Sequence, residues 1–293
     1  MPGPCIVAAV RQRSRVTFLA EGDANTRFFH LQACHCRRTN FVDSVCFNDQ
    51  EVVGEEAKAQ VFFDHFNSIL GASSPRSMAL NFDVLQLPSL QLDGIDQCFT
   101  EEEIWKAILD TPADKAPGPD GFTGLFYRTA WPVIKADIMA AFNALWSLDG
   151  RSFYLVNQAY MILLKKKNVA QEVTDYRPIS LVHSFAKLAA KVLATRLAPF
   201  LQSLVKPNQS AFIKGRFLHD NFRAVQLTAR LLHKQKQAAA LLKIDIAKAF
   251  DTVNWTFLLA VLKHMGFSSR WLNWLSIMLS TASTKILVNG SPG

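Results

Sequence analysis

The sequence has no run approaching the roughly 18 apolar residues of a membrane-spanning helix, so no span is expected. Its opening, MPGPCIVAAVRQRSR, has a short apolar stretch. Charge follows where a secretory leader would carry a small-residue cleavage site, so no leader is expected. Cysteine is scarce: the five, at positions 5, 34, 36, 46 and 98, are odd in number and irregularly spaced. Cys34-His35-Cys36 lies near His30, but the spacing of a zinc site is missing and neighbouring positions point different ways on a helix. Helix packing in a reducing compartment, nuclear or cytoplasmic, is the expectation. No internal repeat is present. Acidic residues nearly vanish from one long stretch: residues 151–240 hold only Glu172, Asp175 and Asp220 against 15 Lys and Arg, a net charge of +12. Residues 51–150 carry −9. A segment as basic as 151–240 repels itself unless a polyanion is close, which points to nucleic acid rather than a merely solvated basic surface.

Apolar and aromatic material is abundant instead. With 49% hydrophobic residues, 22 Phe and 6 Trp in 32.8 kDa, the chain has ample material for a core and fills one large domain or two ordinary ones. Periodicity predicts helices over 4–38, broken at Glu21-Gly22-Asp23, over 54–70, and over 101–110, where Thr100 and Glu103 form a capping box. VDSVCF and EVV, flanking Asn48-Asp49-Gln50, predict a short hairpin. Residues 71–98 mix Ser, Pro and Leu without a period and read as a linker or extended loop. DKAPGPDG stops regular structure. Further helices are predicted over 122–130, 132–148 with Pro132 in its first turn, 184–205, 219–236, 254–265 and 268–280. Strands are predicted at AYMILLKKK (159–167), at 239–246 and at TKILVNG, and NQSAFIKGRFLHDN reads as a loop entering a helix. The fold class is mixed α/β, a helix-rich α+β pattern without regular βαβ alternation.

One position poses a chemical question. In AALLKID, apolar residues run into Asp245, and Asp251 follows six residues on. A carboxylate at the end of a hydrophobic strand needs compensation. It suits a Mg²⁺ ligand, with substrate phosphates supplying other oxygens, and it equally suits a strand-end cap or a lysine partner.

Four segments bear on that question: DKAPGPDGF (114–122), LLKKKN…DYRPISL (163–181), NQSAFIKGRFLHDN (208–221) and KIDIAKAFDTVNW (243–255). In order and spacing they resemble a reverse transcriptase, specifically the plant LINE-type (non-LTR) retrotransposon polymerases. FLAEGDANTRFFH (18–30) resembles the segment joining endonuclease to polymerase in those elements.

The resemblance implies a partial right-hand polymerase fold, with residues 1–98 as a connecting segment and 99–293 as fingers and an incomplete palm. It implies metal-dependent nucleotidyl transfer onto a DNA 3′-hydroxyl, with Mg²⁺ as cofactor and RNA template, DNA primer and deoxynucleoside triphosphates as partners. Carried over residue by residue, KAPGPDG is a rigid turn shaped by Gly118, Gly121 and its two prolines. Lys166 and Arg177 contact the incoming nucleotide's phosphates, a task suited to a planar guanidinium; Lys165 stands where the family carries proline. Gly215 and Arg216 lie beside the template, with an Arg216–Asp220 pair as the structural alternative. Asp245 is the first catalytic aspartate and metal ligand. Phe250 lies beside the nucleotide sugar, with a plain core position as the alternative, and Lys248 and Asp251 also match. The family's RQGDP segment and F-A-D-D turn do not occur in the sequence. The chain alone is therefore expected not to polymerise. The alternatives are a non-enzymatic nucleic-acid-binding remnant, or a decayed product with exposed apolar sheet edges.

Overall fold

Arg27 opens the first helix of a computed structural model that describes residues 27–70, 80–148, 152–246 and 249–292. The helix expected before Arg27, Cys5, Gly22 and Lys248 lie outside the described residues. Helix α1 (Arg27–Asn40) leads to the predicted hairpin, β1 (Val45–Phe47) paired antiparallel with β2 (Gln50–Val52). Its two-residue turn, Asn48-Asp49, has φ of 51° and 60°, the mirror-image turn that matches strand twist and that Asn and Asp tolerate. Helix α2 (Glu55–Leu70) carries Glu55 and Glu56 at its positive end and buries Val61, Phe62 and Phe66. It also buries Lys58, 1% exposed, whose Nζ donates to the Val42 and Asp43 carbonyls and to Glu55.

The buried apolar face of α2 lies on a four-stranded sheet ordered β4-β3-β5-β6. Strand β3 (Gln158–Lys165) alternates buried and half-buried residues. It pairs antiparallel with β4 (Tyr176–Val182) and parallel with β5 (Ser283–Val288), while β6 (Ser291–Pro292) adds a short outer edge. Met161, Leu163, Tyr176, Ile286 and Val288 form one core with α2 and Val45. Asn289, in the β5–β6 turn, accepts from Val42 N–H at 2.8 Å and donates to the Val42 carbonyl at 3.1 Å, tying the upstream segment to the sheet.

A second, larger core is helical. It gathers α4 (Glu101–Leu109), α5 (Gly124–Trp146), the one-turn α6 (Phe153–Val156), α7 (Ser184–Leu197) and α11 (Ser269–Ser280) around Phe99, Phe142, Phe185, Trp271 and Trp274. The capping box opens α4 as expected: the Thr100 hydroxyl accepts from Glu103 N–H and the Glu103 carboxylate from Thr100 N–H. Arg128 on α5 closes the other end, donating to the Ile108, Leu109 and Thr111 carbonyls left free there.

Four expectations are corrected. Residues 80–98 are loop apart from the one-turn α3 (Phe82–Leu85), capped by Asn81, but they are no bare linker: Leu92 and Ile95 enter the helical core, because spaced apolar residues find a partner surface without any period. The two helices over 122–130 and 132–148 are one, with Pro132 inside α5. Proline removes a single donor there, whereas stacking of buried Trp131 on Trp105, 5.2 Å between centroids, holds the helix through that point. The helix over 184–205 stops at Leu197 and passes through a 3₁₀ turn containing Pro199 into α8 (Leu201–Leu204).

The fourth correction bears on function. Residues 239–246 form no strand, and Leu241, Leu242, Ile244 and Ile246 are exposed. Both sides of β3 are taken by β4 and β5, and residues 239–246 do not pair with the outer edge of β5, where β6 covers only Leu287 and Val288. The outer edge of β4 is blunted. Asp175 and Gln158 accept ladder bonds from Lys166 N–H and His183 N–H, an alternation that turns Pro178, which lacks an N–H, toward the open side. Helices α9 (Leu218–Lys234), α10 (Trp255–His264) and α11 lie close to their predicted limits.

Candidate nucleic-acid interface

The β3–β4 hairpin brings two of the anticipated residues together. Its register sets Leu164 opposite Arg177 and Lys165 opposite Tyr176, so Lys165, Lys166, Lys167 and Arg177 gather at one end of the sheet. Arg177 is exposed. Lys166 is exposed too, its Nζ donating to the Thr174 carbonyl at 2.5 Å. Lys167 pairs with Asp175 at 2.9 Å, and that bond chiefly holds the Asp175 carboxyl below its ordinary value, with Glu172 and Gln171 N–H donors adding to it. Asp175 thereby fixes the loop that spaces the lysines from Arg177.

The DKAPGPDG loop docks on the far end of the same hairpin. A Cβ on Gly118 would lie 2.2 Å from the Val182 carbonyl oxygen, so only glycine permits that approach. Gly121 has φ of +72°, a turn requirement with open space around it. Two residues after Gly118, Asp120 is nearly buried and reaches the start of α7. It accepts from Ser184 N–H at 2.8 Å and from the Ser184 hydroxyl at 3.3 Å, with His183 Nδ1 3.2 Å away. The carboxylate satisfies a free donor at a helix N-terminus and complements its dipole. Asp120→Ala is expected to destabilise the chain by about 2 kcal/mol in urea denaturation, more than Asp120→Asn, which keeps one acceptor. Sequence reading missed this contact, since the partners stand 64 positions apart.

The loop before α9 is held by Arg216. Its guanidinium donates to the Gln202 side chain and to the carbonyls of Gln202, Val205, Lys206 and Gln209. The expected alternative partner, Asp220, is not among these acceptors. The carbonyls freed where α8 ends supply the charge complement. Gly215, with φ of +84°, makes the turn that brings the side chain back. Phe212 also adopts a positive φ, 65°, and its ring meets that of Phe250 edge-on at 6.1 Å between centroids. Phe250 is 82% exposed, not a core residue.

Asp245 is exposed on the irregular 239–246 segment. Among the described residues no three His, Cys, Asp or Glu side chains come together as a metal-binding group, at Cys34-His35-Cys36 or around Asp245. The donors around Asp245 among the described residues do not by themselves fit a divalent cation, which needs several oxygen ligands. No helix among the described residues is long and apolar enough to cross a membrane.

Residues 164–292, from the end of β3 through β6, match the family described as reverse transcriptase (RNA-dependent DNA polymerase). Over 288 residues, 95% of this chain, it is 25% identical to the "Transposon TX1 uncharacterized 149 kDa protein" of Xenopus laevis. It is 27% identical over 172 residues, 56% of the chain, to the "Retrovirus-related Pol polyprotein from type-2 retrotransposable element R2DM" of Drosophila melanogaster. It is also 27% identical over 218 residues, 71% of the chain, to the "Probable RNA-directed DNA polymerase from transposon BS" of the same fly. These matches cover 22%, 16% and 23% of the relatives' own lengths, so the chain spans about a fifth of the proteins it resembles. Residues 164–292 thus match the reverse transcriptase family, and the chain as a whole is similar to proteins of non-LTR retrotransposons.

Proposed function

We propose that this chain supplies the fingers and the first part of the palm of an RNA-directed DNA polymerase of a plant-type LINE element. Residues 1–98 are the connecting segment and 99–293 the polymerase part. The observation that supports this reading best is the β3–β4 register, which sets Lys166 and Arg177, both within the matched residues, at one end of a hairpin. There Arg177 and Lys166 grip the phosphates of a deoxynucleoside triphosphate, Phe250 lies against its sugar, and Gly215 and Arg216 shape the loop along the template. Arg216 acts through that loop, because its donors are already engaged by carbonyls. Asp245 is the first carboxylate of the Mg²⁺ site, and the further ligands come from outside the described residues. The compartment is intracellular, nuclear or cytoplasmic.

A second reading, nucleic-acid binding without catalysis, is favoured by the +12 charge of residues 151–240 and by the lone position of Asp245. The two separate in one pair of assays. RNA binding by this chain is expected to weaken steeply as salt rises, and Arg177→Ala is expected to reduce the salt slope by about one unit. In template–primer extension with Mg²⁺ this chain alone is expected to give no product. Extension that vanishes in Asp245→Ala would show that the chain is catalytically sufficient. Negligible binding even at low salt would remove both readings.

A further inference from the structure

The DKAPGPDG loop, the C-terminal end of α4, the N-terminal ends of α5 and α7, and β4 enclose a cavity of about 520 Å³. That lies within the range of small-molecule pockets. Its walls are Ile108, Tyr127, Ile179, Leu181 and Leu188, with Lys115 and Lys187 at the rim. The threonine and serine hydroxyls of the lining are already committed, which leaves the Tyr127 phenol as the polar group of the walls. Thr111 donates to the Ala107 carbonyl at 2.8 Å, Ser184 donates to the Phe122 carbonyl at 2.7 Å, and Thr123 accepts from Phe126 N–H at 3.4 Å. One phenol is fewer than the two to four partners a buried water needs, so the walls favour an apolar occupant. A nucleobase is disfavoured, because its polar edge would lose hydrogen bonds to water and find no replacement.

The rim has the opposite character. Among the described residues neither Lys115 nor Lys187 forms an ion pair. The carboxylate that acts on Lys187, Asp120, is bound to Ser184 and lies against His183. Burial pulls the Lys187 ammonium below its ordinary pKa, with Asp120 acting the other way, so an added anion there meets an undercompensated cation. Burial likewise pushes the Tyr127 phenol up to about 12, so the wall it forms stays neutral.

We propose that this cavity binds a small amphiphilic monoanion, its apolar body against Tyr127, Leu181 and Leu188 and its anionic head between Lys115 and Lys187. The site shares β4 with Arg177, two residues from Ile179, but does not depend on the polymerase reading.

The test is photolabelling of the full chain with decanoic acid bearing a diazirine on its chain, followed by peptide mapping, with the matching decanol analogue as the neutral control. Label is expected on peptides covering 108–127 and 179–188. Ile179→Trp, at a half-exposed wall position that admits a larger ring, is expected to fill the cavity and cut that labelling about tenfold. Lys187→Gln is expected to weaken acid labelling about tenfold while Lys187→Arg restores it, and to leave decanol labelling unchanged. Circular dichroism melts matching the wild-type chain establish that the variants fold. Label spread over α9, whose apolar residues are exposed, would overturn the proposal. So would labelling indifferent to Ile179→Trp, or equal sensitivity of acid and alcohol to Lys187→Gln.

Discussion

Arg196→Ala is expected to destabilise the chain by about 3–5 kcal/mol in urea denaturation, the range for breaking a buried charge pair. The Arg196 guanidinium is 10% exposed and pairs through two nitrogens with the Glu103 carboxylate, at 2.9 Å and 2.5 Å. The same group donates to the carbonyls of Ile95, Gln97 and Cys98 and stacks over the Phe99 ring at 4.3 Å. It thereby joins α7 to the segment that precedes α4. Removing it strands a carboxylate and three carbonyls and uncovers an aromatic ring at once. Arg196→Lys is expected to recover less than half of the loss, because an ammonium cannot reproduce the planar fork or the stacking. Glu103→Ala combined with Arg196→Ala is expected to cost clearly less than the two single losses added together, since the partners share one interaction. Strict additivity would show that the pair is not coupled.

The second large effect is expected at Lys58. Lys58→Ala removes a buried ammonium that donates at 2.8 Å to Val42, 3.2 Å to Asp43 and 2.8 Å to Glu55. The Asp43 carbonyl loses its Lys58 donor, the Val42 carbonyl keeps only that of Asn289, and a cavity opens under α2, at a cost of about 3 kcal/mol. Lys58→Met keeps the volume and should be milder. The loss should be local as well as global, because Val42 is also the residue that Asn289 holds against the β5–β6 turn. Faster amide exchange at Val42 and through β5 is the readout. The network also has a pH signature. The Lys58 hydrogen bond, followed by that of Asn289, holds the Glu55 carboxyl below its ordinary value. A depressed carboxyl contributes stability that is present above its unfolded pKa and fades as pH falls through the folded value. Acid sensitivity in that window should be weaker in Lys58→Ala than in the native chain; an unchanged pH profile would exclude the coupling.

Much of the architecture was legible in the chain because it depends on neighbours in sequence. The Asn48-Asp49 turn, the Thr100–Glu103 box and the apolar run of β3 need only two to eight residues each to be recognised. Pro199 misled differently from Pro132. Pro199 falls where α7 gives way to a 3₁₀ turn, whereas Pro132 lies between buried Trp131 and the remainder of a well-packed helix. Local propensity was the same at both positions, and the surroundings decided. At the candidate site, motif order gave Lys166 and Arg177 a shared task, but β4 was not among the predicted strands, and it is the antiparallel register that places the two at one end of the sheet. The engagement of Arg216 by five acceptors and the docking of Asp120 on α7 carried no local signal.

What the sequence determined by itself is therefore the set of short-range elements, the basic character of residues 151–240 and the order of motifs that resemble a reverse transcriptase. The tertiary structure alone decided how the charges are used. Arg196, Arg216 and Lys58 satisfy backbone carbonyls inside the chain, while Arg177 and Lys166 stay at the surface. It also decided that residues 239–246 form no strand, because a strand exists only where its backbone groups meet a neighbour's, and this segment joins no ladder of the sheet. Hydrophobic patterning fixes which face turns inward, but partners dozens or hundreds of residues away are selected by packing and by the need to satisfy buried polar groups.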